Sequence, residues 1–129
     1  MNAARTLHAV AAPPHIKVHP GAAKPLLRLA RHDPQIHGID GLGGVEGLLP
    51  ATDTEVVSRI AKRDGQVVRA IDGIAAAVRD TWRDGTGSQV TVVSTGPMTN
   101  IALFVSVYPE LLDAIGLIHP KQRVWFCYF

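Results

Sequence analysis

One cysteine, Cys127, is all the thiol chemistry this chain offers, which excludes an internal disulfide and any zinc site built on several cysteines. Lysine and arginine are scattered and never form a run, so the formal charge of +2 leaves no electrostatic footprint for nucleic acid. The longest apolar run, Ile101 to Val107, is interrupted by Ser106 and falls far short of the ~20 residues that span a bilayer. No membrane segment is expected. Acidic residues are missing altogether from Met1 to His32, a stretch that carries Arg5, Lys17, Lys24, Arg28 and Arg31. That composition resembles an organelle-targeting segment, yet Pro13-Pro14, Pro20-Gly21 and Pro25 divide it into short elements separated by turns. The expected location is the cytoplasm.

What is present suits a single globular domain. The chain has 129 residues, 47% of them hydrophobic, enough for one real core and too few for two ordinary domains. Ala3 to Val10 reads as the end of a helix with Leu7 and Val10 on one face, stopped by Pro13-Pro14. His15 to His19 reads as a short strand, with Ile16 and Val18 alternating with polar residues. From Pro20 to Pro50 there are ten Gly or Pro residues and little periodicity, the pattern of a functional or disordered loop.

A helical region is expected from Asp53 or Thr54, either of which can cap it, with a break at Gly65. A second helix follows from Gln66 to Trp82, where Val67, Ile71, Ile74, Val78 and Trp82 recur at helical spacing. Gly85 and Gly87 end it. Gln89 to Ser94 is a β-branched run of the kind that forms a strand buried on both faces of a parallel sheet. Gly96 is expected as N-cap and Pro97 as first residue of a helix reaching Val107. The alternation is α/β, and ligands in such sheets sit at the carboxyl ends of strands, here Ser94-Thr95-Gly96. Thr99 and Asn100 either face that end or only satisfy the backbone of the helix's own first turn.

Other candidate motifs fail. In HGIDGLGGVEG the third position of a G-x-G-x-x-G pattern, counted from Gly41 and Gly43, falls on Glu46, and no strand precedes it. Neither lysine nor arginine follows the glycines, as a phosphate loop requires. Asp33 and Asp40 read either as a carboxylate pair or as loop-capping or solvated residues.

Taken in order, VHPGAAKPLLR (Val18 to Arg28), IHGIDGLGG (Ile36 to Gly44), Leu49-Pro50 and VVSTGPMTNIAL (Val92 to Leu103) resemble the inosine–uridine-preferring nucleoside hydrolases. The resemblance runs from Asn2 through Tyr108-Pro109-Glu110. It implies an α/β fold, part of a mostly parallel sheet flanked by helices, and ribonucleosides as substrates. It further implies a calcium ion that acidifies the water which cleaves the N-glycosidic bond. By the same resemblance, Thr95 matches a threonine whose backbone carbonyl ligates the calcium, as a hard cation prefers. His37 matches a histidine that lines the nucleoside pocket. Thr99 and Asn100 match a structural pair, and Asp40 is assigned no role.

The departures from the family pattern are as specific. The sequence lacks the motif Asp-x-Asp-Pro-Gly-x-Asp-Asp, which supplies most metal ligands and the catalytic base, so no residue here is assigned as catalytic. The end of the chain runs GLIHPKQRVWFCYF, with Trp125, Phe126, Tyr128 and Phe129 among its last five residues. It reads either as unrelated coding sequence or as a lineage-specific edge strand. The expectation is therefore a partial nucleoside hydrolase domain over residues 1–112 with a divergent tail at 113–129, an internal piece inactive by itself. The alternative is a non-catalytic α/β interaction module that pairs with a full-length relative. Expected partners are a ribonucleoside and either a second copy or an intact relative.

Overall fold

A computed structural model describes residues 1–27, 29–30 and 33–120. The tail residues 121–129, with Cys127 and the four clustered aromatics, lie outside the described residues, as do Arg28 and Arg31. The chain forms two compact units, Met1–Pro20 with Ala30–Arg69, and Gly21–Leu29 with the chain from Ala70 onward.

In the first unit, helix α1 (Asn2–Ala9) packs on the short helix α3 (Thr54–Val57). Ala4 of one and Val56 of the other are fully buried, so the apolar seam is smaller than the expected Leu7–Val10 face, and Val10 is exposed. His8 Nδ1 stands 3.4 Å from Glu55 across the same seam. Asp53 is the N-cap of α3, its Oδ1 accepting the Glu55 N–H at 2.8 Å, which removes one orphan donor of the first turn. The expected strand His15–His19 shrinks to one parallel bridge between Val18 and Ile60. There the Val18 N–H donates to the Arg59 carbonyl and its own carbonyl accepts from Ala61.

Strands β1 (Lys62–Arg63) and β2 (Gln66–Val67) pair antiparallel around Asp64-Gly65. Both turn residues have positive φ, 51° and 79°, as a type I′ hairpin turn demands. This corrects the helix expected from Gln66. Residues 66–67 are consumed by the hairpin, and helix α4 begins only at Ala70, running to Trp82.

The second unit is built on α4. A 3-10 turn at Arg83–Gly85 ends the helix. The N–H groups of Gly87 and Ser88 then cap its last carbonyls, those of Trp82 and Thr81. Strand β3 (Val90–Ser94), helix α5 (Thr99–Val107), a 3-10 segment Pro109–Ala114 and strand β4 (Ile115–Pro120) follow. Strands β3 and β4 pair in parallel, so this is a β-α-β crossover and the α/β class holds. Among the described residues the parallel sheet has these two strands, and a larger one does not form.

The expectation that β3 is buried on both faces is also corrected. Val90, Val92 and Ser94 are half-buried while Thr91 and Val93 are exposed, because α4 covers one face of the strand and the other is open. Ala75, Val78, Phe104, Leu111 and Ala114 form the core of this unit, with Ile71, Ile74, Trp82 and Val90 packed around them. The helical spacing on α4 therefore identified its inward face. Val67 alone leaves that set, being exposed on β2.

Candidate functional site

At the carboxyl end of β3 the chain turns through Thr95, Gly96 and Pro97 before α5 begins. The Ser94 hydroxyl donates to the Gly96 carbonyl at 3.1 Å, tying the strand's last residue to the turn around Thr95. Thr95 is exposed, and its position at the end of a parallel strand is where this class of fold places ligands. The helix N-cap is Met98 rather than Gly96. The first helical bond runs from the Ala102 N–H to the Met98 carbonyl at 2.8 Å, so Pro97 stays in the turn.

Asn100 neither caps its own helix nor stands idle. Its Oδ1 accepts the Ala22 N–H at 2.8 Å, and its amide lies so close to Gly21 that a Cβ there would stand 2.5 Å from Nδ2. A larger residue there would have to push that amide aside. The Gly21-Ala22 segment is thus held by the first turn of α5, a link across 78 residues of sequence.

In the first unit, His37 ends the short helix α2 (Pro34–His37) with its side chain exposed. Its carbonyl accepts the Gly43 N–H at 2.8 Å, so the glycine-rich loop folds back onto it. Asp33 occupies the N-cap position of α2, but its side chain makes no capping bond. Asp40 does cap its own loop. One carboxylate oxygen accepts the N–H groups of Leu42 at 2.9 Å and Gly44 at 3.2 Å. Those two donors, with a smaller contribution from the Arg5 charge, hold the Asp40 carboxyl below its ordinary range. Asn2 Nδ2 donates to the Asp40 carbonyl at 2.7 Å, and Arg5 Nε donates to the Leu49 carbonyl at 2.8 Å.

Asn2 and Arg5 on α1 therefore tether both ends of the loop from Asp40 to Leu49, which begins just after His37. Sequence reasoning missed this role, since side chains 38 and 44 residues away from their acceptors leave no local signal. His37 and Thr95 lie in different units, each placed by its own scaffold.

A calcium shell takes ~6–8 oxygens. Among the described residues no group of three or more His, Cys, Asp or Glu side chains comes together to hold a metal ion. The Thr95 carbonyl, with the Ser94 hydroxyl already engaged, does not by itself fit such a shell.

A model of the inosine-uridine preferring nucleoside hydrolase family matches residues 1–119. An uncharacterised protein of Schizosaccharomyces pombe is 37% identical over 100 residues, which cover 78% of this chain and 26% of that protein. The pyrimidine-specific ribonucleoside hydrolases RihA of Salmonella enteritidis and Salmonella gallinarum are each 35% identical over 105 residues, 81% of this chain and 29% of theirs. The chain therefore spans less than a third of the length of these curated relatives. The match includes Ile115 to His119 of β4, beyond the Tyr108-Pro109-Glu110 stretch to which the sequence motifs reach.

Proposed function

The chain belongs to the inosine-uridine preferring nucleoside hydrolase family, and from that premise we propose that it supplies part of a site that cleaves ribonucleosides to ribose and free base. The observation that carries this reading is the β3–turn–α5 unit. A parallel strand ends at Ser94, Thr95 lies exposed in the turn beyond it, and Asn100 holds Gly21-Ala22 beside that turn's helix. The resemblance assigns Thr95 and His37 their roles, and His37 is exposed at the end of α2, against which the glycine-rich loop folds back.

In this proposal His37 contacts the bound nucleoside and the Thr95 carbonyl serves as one oxygen ligand of a calcium ion. The ion, when bound, supplies an acidified water. Because the donors described here do not complete its shell, no step is assigned to it. The chain taken alone is proposed to be inactive, since it has neither the aspartate-rich motif nor an assigned base. The cytoplasm is the proposed location; among the described residues no helix is long and apolar enough to cross a membrane.

A reducing-sugar assay tests the reading. The isolated chain should release no ribose from inosine or uridine with calcium present. The segment Asn2 to Glu110, grafted into an intact relative in place of its counterpart, should give an active hydrolase. A graft that folds by circular dichroism but neither binds nucleoside nor turns it over refutes the proposal.

The exposed face of β3, with Val93 59% exposed, supports the second reading. Such a face favours pairing with another chain, and the interaction module would then shift an intact hydrolase on a native gel.

A further inference from the structure

The first unit contains an open hollow of about 520 Å³ lined by Lys17, Thr52, Thr54, Val57, Ser58, Ile60 and Lys62. None of these residues belongs to the segments that carry the family resemblance, and none is His37, Asp40 or Thr95. The lining contains two ammonium groups, three hydroxyls and two branched aliphatic side chains, and no carboxylate. Among the described residues the ion pairs are His8 with Glu55 and Arg79 with Glu110, so neither lysine is neutralised by a carboxylate at ion-pair distance.

Lys17 is held in place. Its Nζ donates to the Ser58 carbonyl at 3.0 Å, which uses one of three donors and leaves two. Asp53 and Glu55 flank Thr54 in sequence, but neither lines the hollow or stands at ion-pair distance from either lysine. The Ser58 hydroxyl donates to the Glu55 carbonyl at 2.6 Å, which leaves the Thr52 and Thr54 hydroxyls; two cations without an ion-pair partner beside them complement an anion, because charge-assisted bonds to phosphate or carboxylate oxygens are the strong ones. Phosphate suits the lining better than carboxylate, having three terminal oxygens to spread over two lysines and two threonine hydroxyls. The volume lies within the ~300–1,000 Å³ of small-molecule sites, larger than a bare ion needs. Val57 and Ile60 offer apolar surface to an organic group.

We propose that this hollow binds a small organic phosphate, a phosphomonoester of about sugar size, through Lys17 and Lys62. Calorimetric titration of the 129-residue chain with ribose 5-phosphate, inorganic phosphate and ribose tests it. Ribose 5-phosphate should bind saturably and more tightly than inorganic phosphate, and ribose should not bind. Lys17→Gln and Lys62→Gln should each weaken binding about tenfold or more, the scale of one charge-assisted bond. Lys62 is exposed on the β1–β2 hairpin, so Lys62→Gln decides the matter even if loss of the bond to Ser58 unfolds the Lys17 variant. Absence of saturable binding overturns the proposal. So does equal affinity for inorganic phosphate, or affinity unchanged by Lys62→Gln in a chain with wild-type circular dichroism.

Discussion

The Asn100 side chain accepts the N–H of Ala22 at 2.8 Å, joining the first turn of α5 to a segment that precedes it by 78 residues. The bond connects two of the stretches that carry the family resemblance, VHPGAAKPLLR and VVSTGPMTNIAL. It gives both a structural reason for their residue choice. The asparagine reaches an N–H, and glycine before that N–H leaves the amide its place, since a Cβ at Gly21 would push it aside.

Asn100→Ala should therefore cost about 1 kcal/mol of stability, the net value of one such bond, read as a lower urea midpoint. Gly21→Ala should cost at least as much, because it displaces the same amide as well as breaking the bond. The double variant should be little worse than Gly21→Ala alone, since both act on one interaction. Full additivity in that cycle would mean that the two positions are not coupled.

The contrast between these residues and their neighbours shows what a sequence can disclose. The β3–turn–α5 unit was legible because β-branched residues and a Gly-Pro turn act locally. The Asp64-Gly65 hairpin carries an equally local signal, although Gly65 also suits the helix break expected there. Two residues of that type between short extended pairs are a hairpin signal, and the helical spacing that continued through Val67 masked it. Asp40 was open to two readings, and its short-range bonds to Leu42 and Gly44 select loop capping. The partners of Asn2, Arg5 and Asn100 could not be read, because nothing within a helix turn specifies an acceptor tens of residues away. The half-open face of β3 was hidden for a related reason. Propensity marks a strand but not what covers it.

Tyr108 predicts an alkaline limit to stability. Its hydroxyl donates to Asp72 Oδ1 at 2.7 Å, and this bond, aided by desolvation and the Asp72 charge, raises the phenol above its usual value of 10.0. The folded state holds the proton more tightly than the unfolded chain. The contribution is therefore complete below the unfolded value of about 10 and is lost as pH rises through the higher folded one. Urea midpoints of wild type and Tyr108→Phe should differ by a constant amount from pH 7 to 9 and converge above pH 10. A difference that persists unchanged at pH 11 would show that the hydroxyl bond does not stabilise the folded chain.

Asp40 predicts the opposite, acidic limit, confined to its own loop. The N–H groups of Leu42 and Gly44 favour its charged form and lower its pKa, so the stabilisation is present above the ordinary value of 3.8. It is lost as pH falls through the depressed folded value. Amide exchange at Leu42 and Gly44, corrected for intrinsic rates, should be protected at neutral pH and lose protection in that acidic window. In Asp40→Asn the carbonyl oxygen still accepts both bonds, so some protection should remain and should no longer change across the window. Equal acid loss in wild type and Asp40→Asn would assign the effect to another group.

Thr95 gives the sharpest test of the site, carried out in the Asn2–Glu110 graft, where a complete set of partners is present. The proposed ligand is the backbone carbonyl, and the side chain is exposed at the strand end. Thr95→Ala keeps that carbonyl and should leave calcium affinity and turnover within about twofold of the parent, as surface substitutions usually do. Ser94→Ala is the informative partner. It removes the hydroxyl bond to the Gly96 carbonyl, which restrains the turn on either side of Thr95, so it should weaken calcium binding several-fold while changing the thermal midpoint little. Thr95→Pro fixes φ at about −65° and constrains Ser94 as well, and it should lose both metal and activity if the carbonyl direction matters. If Thr95→Ala abolishes calcium binding while Ser94→Ala and Thr95→Pro spare it, the threonine hydroxyl and not the carbonyl is the ligand, and the role given to this turn is wrong.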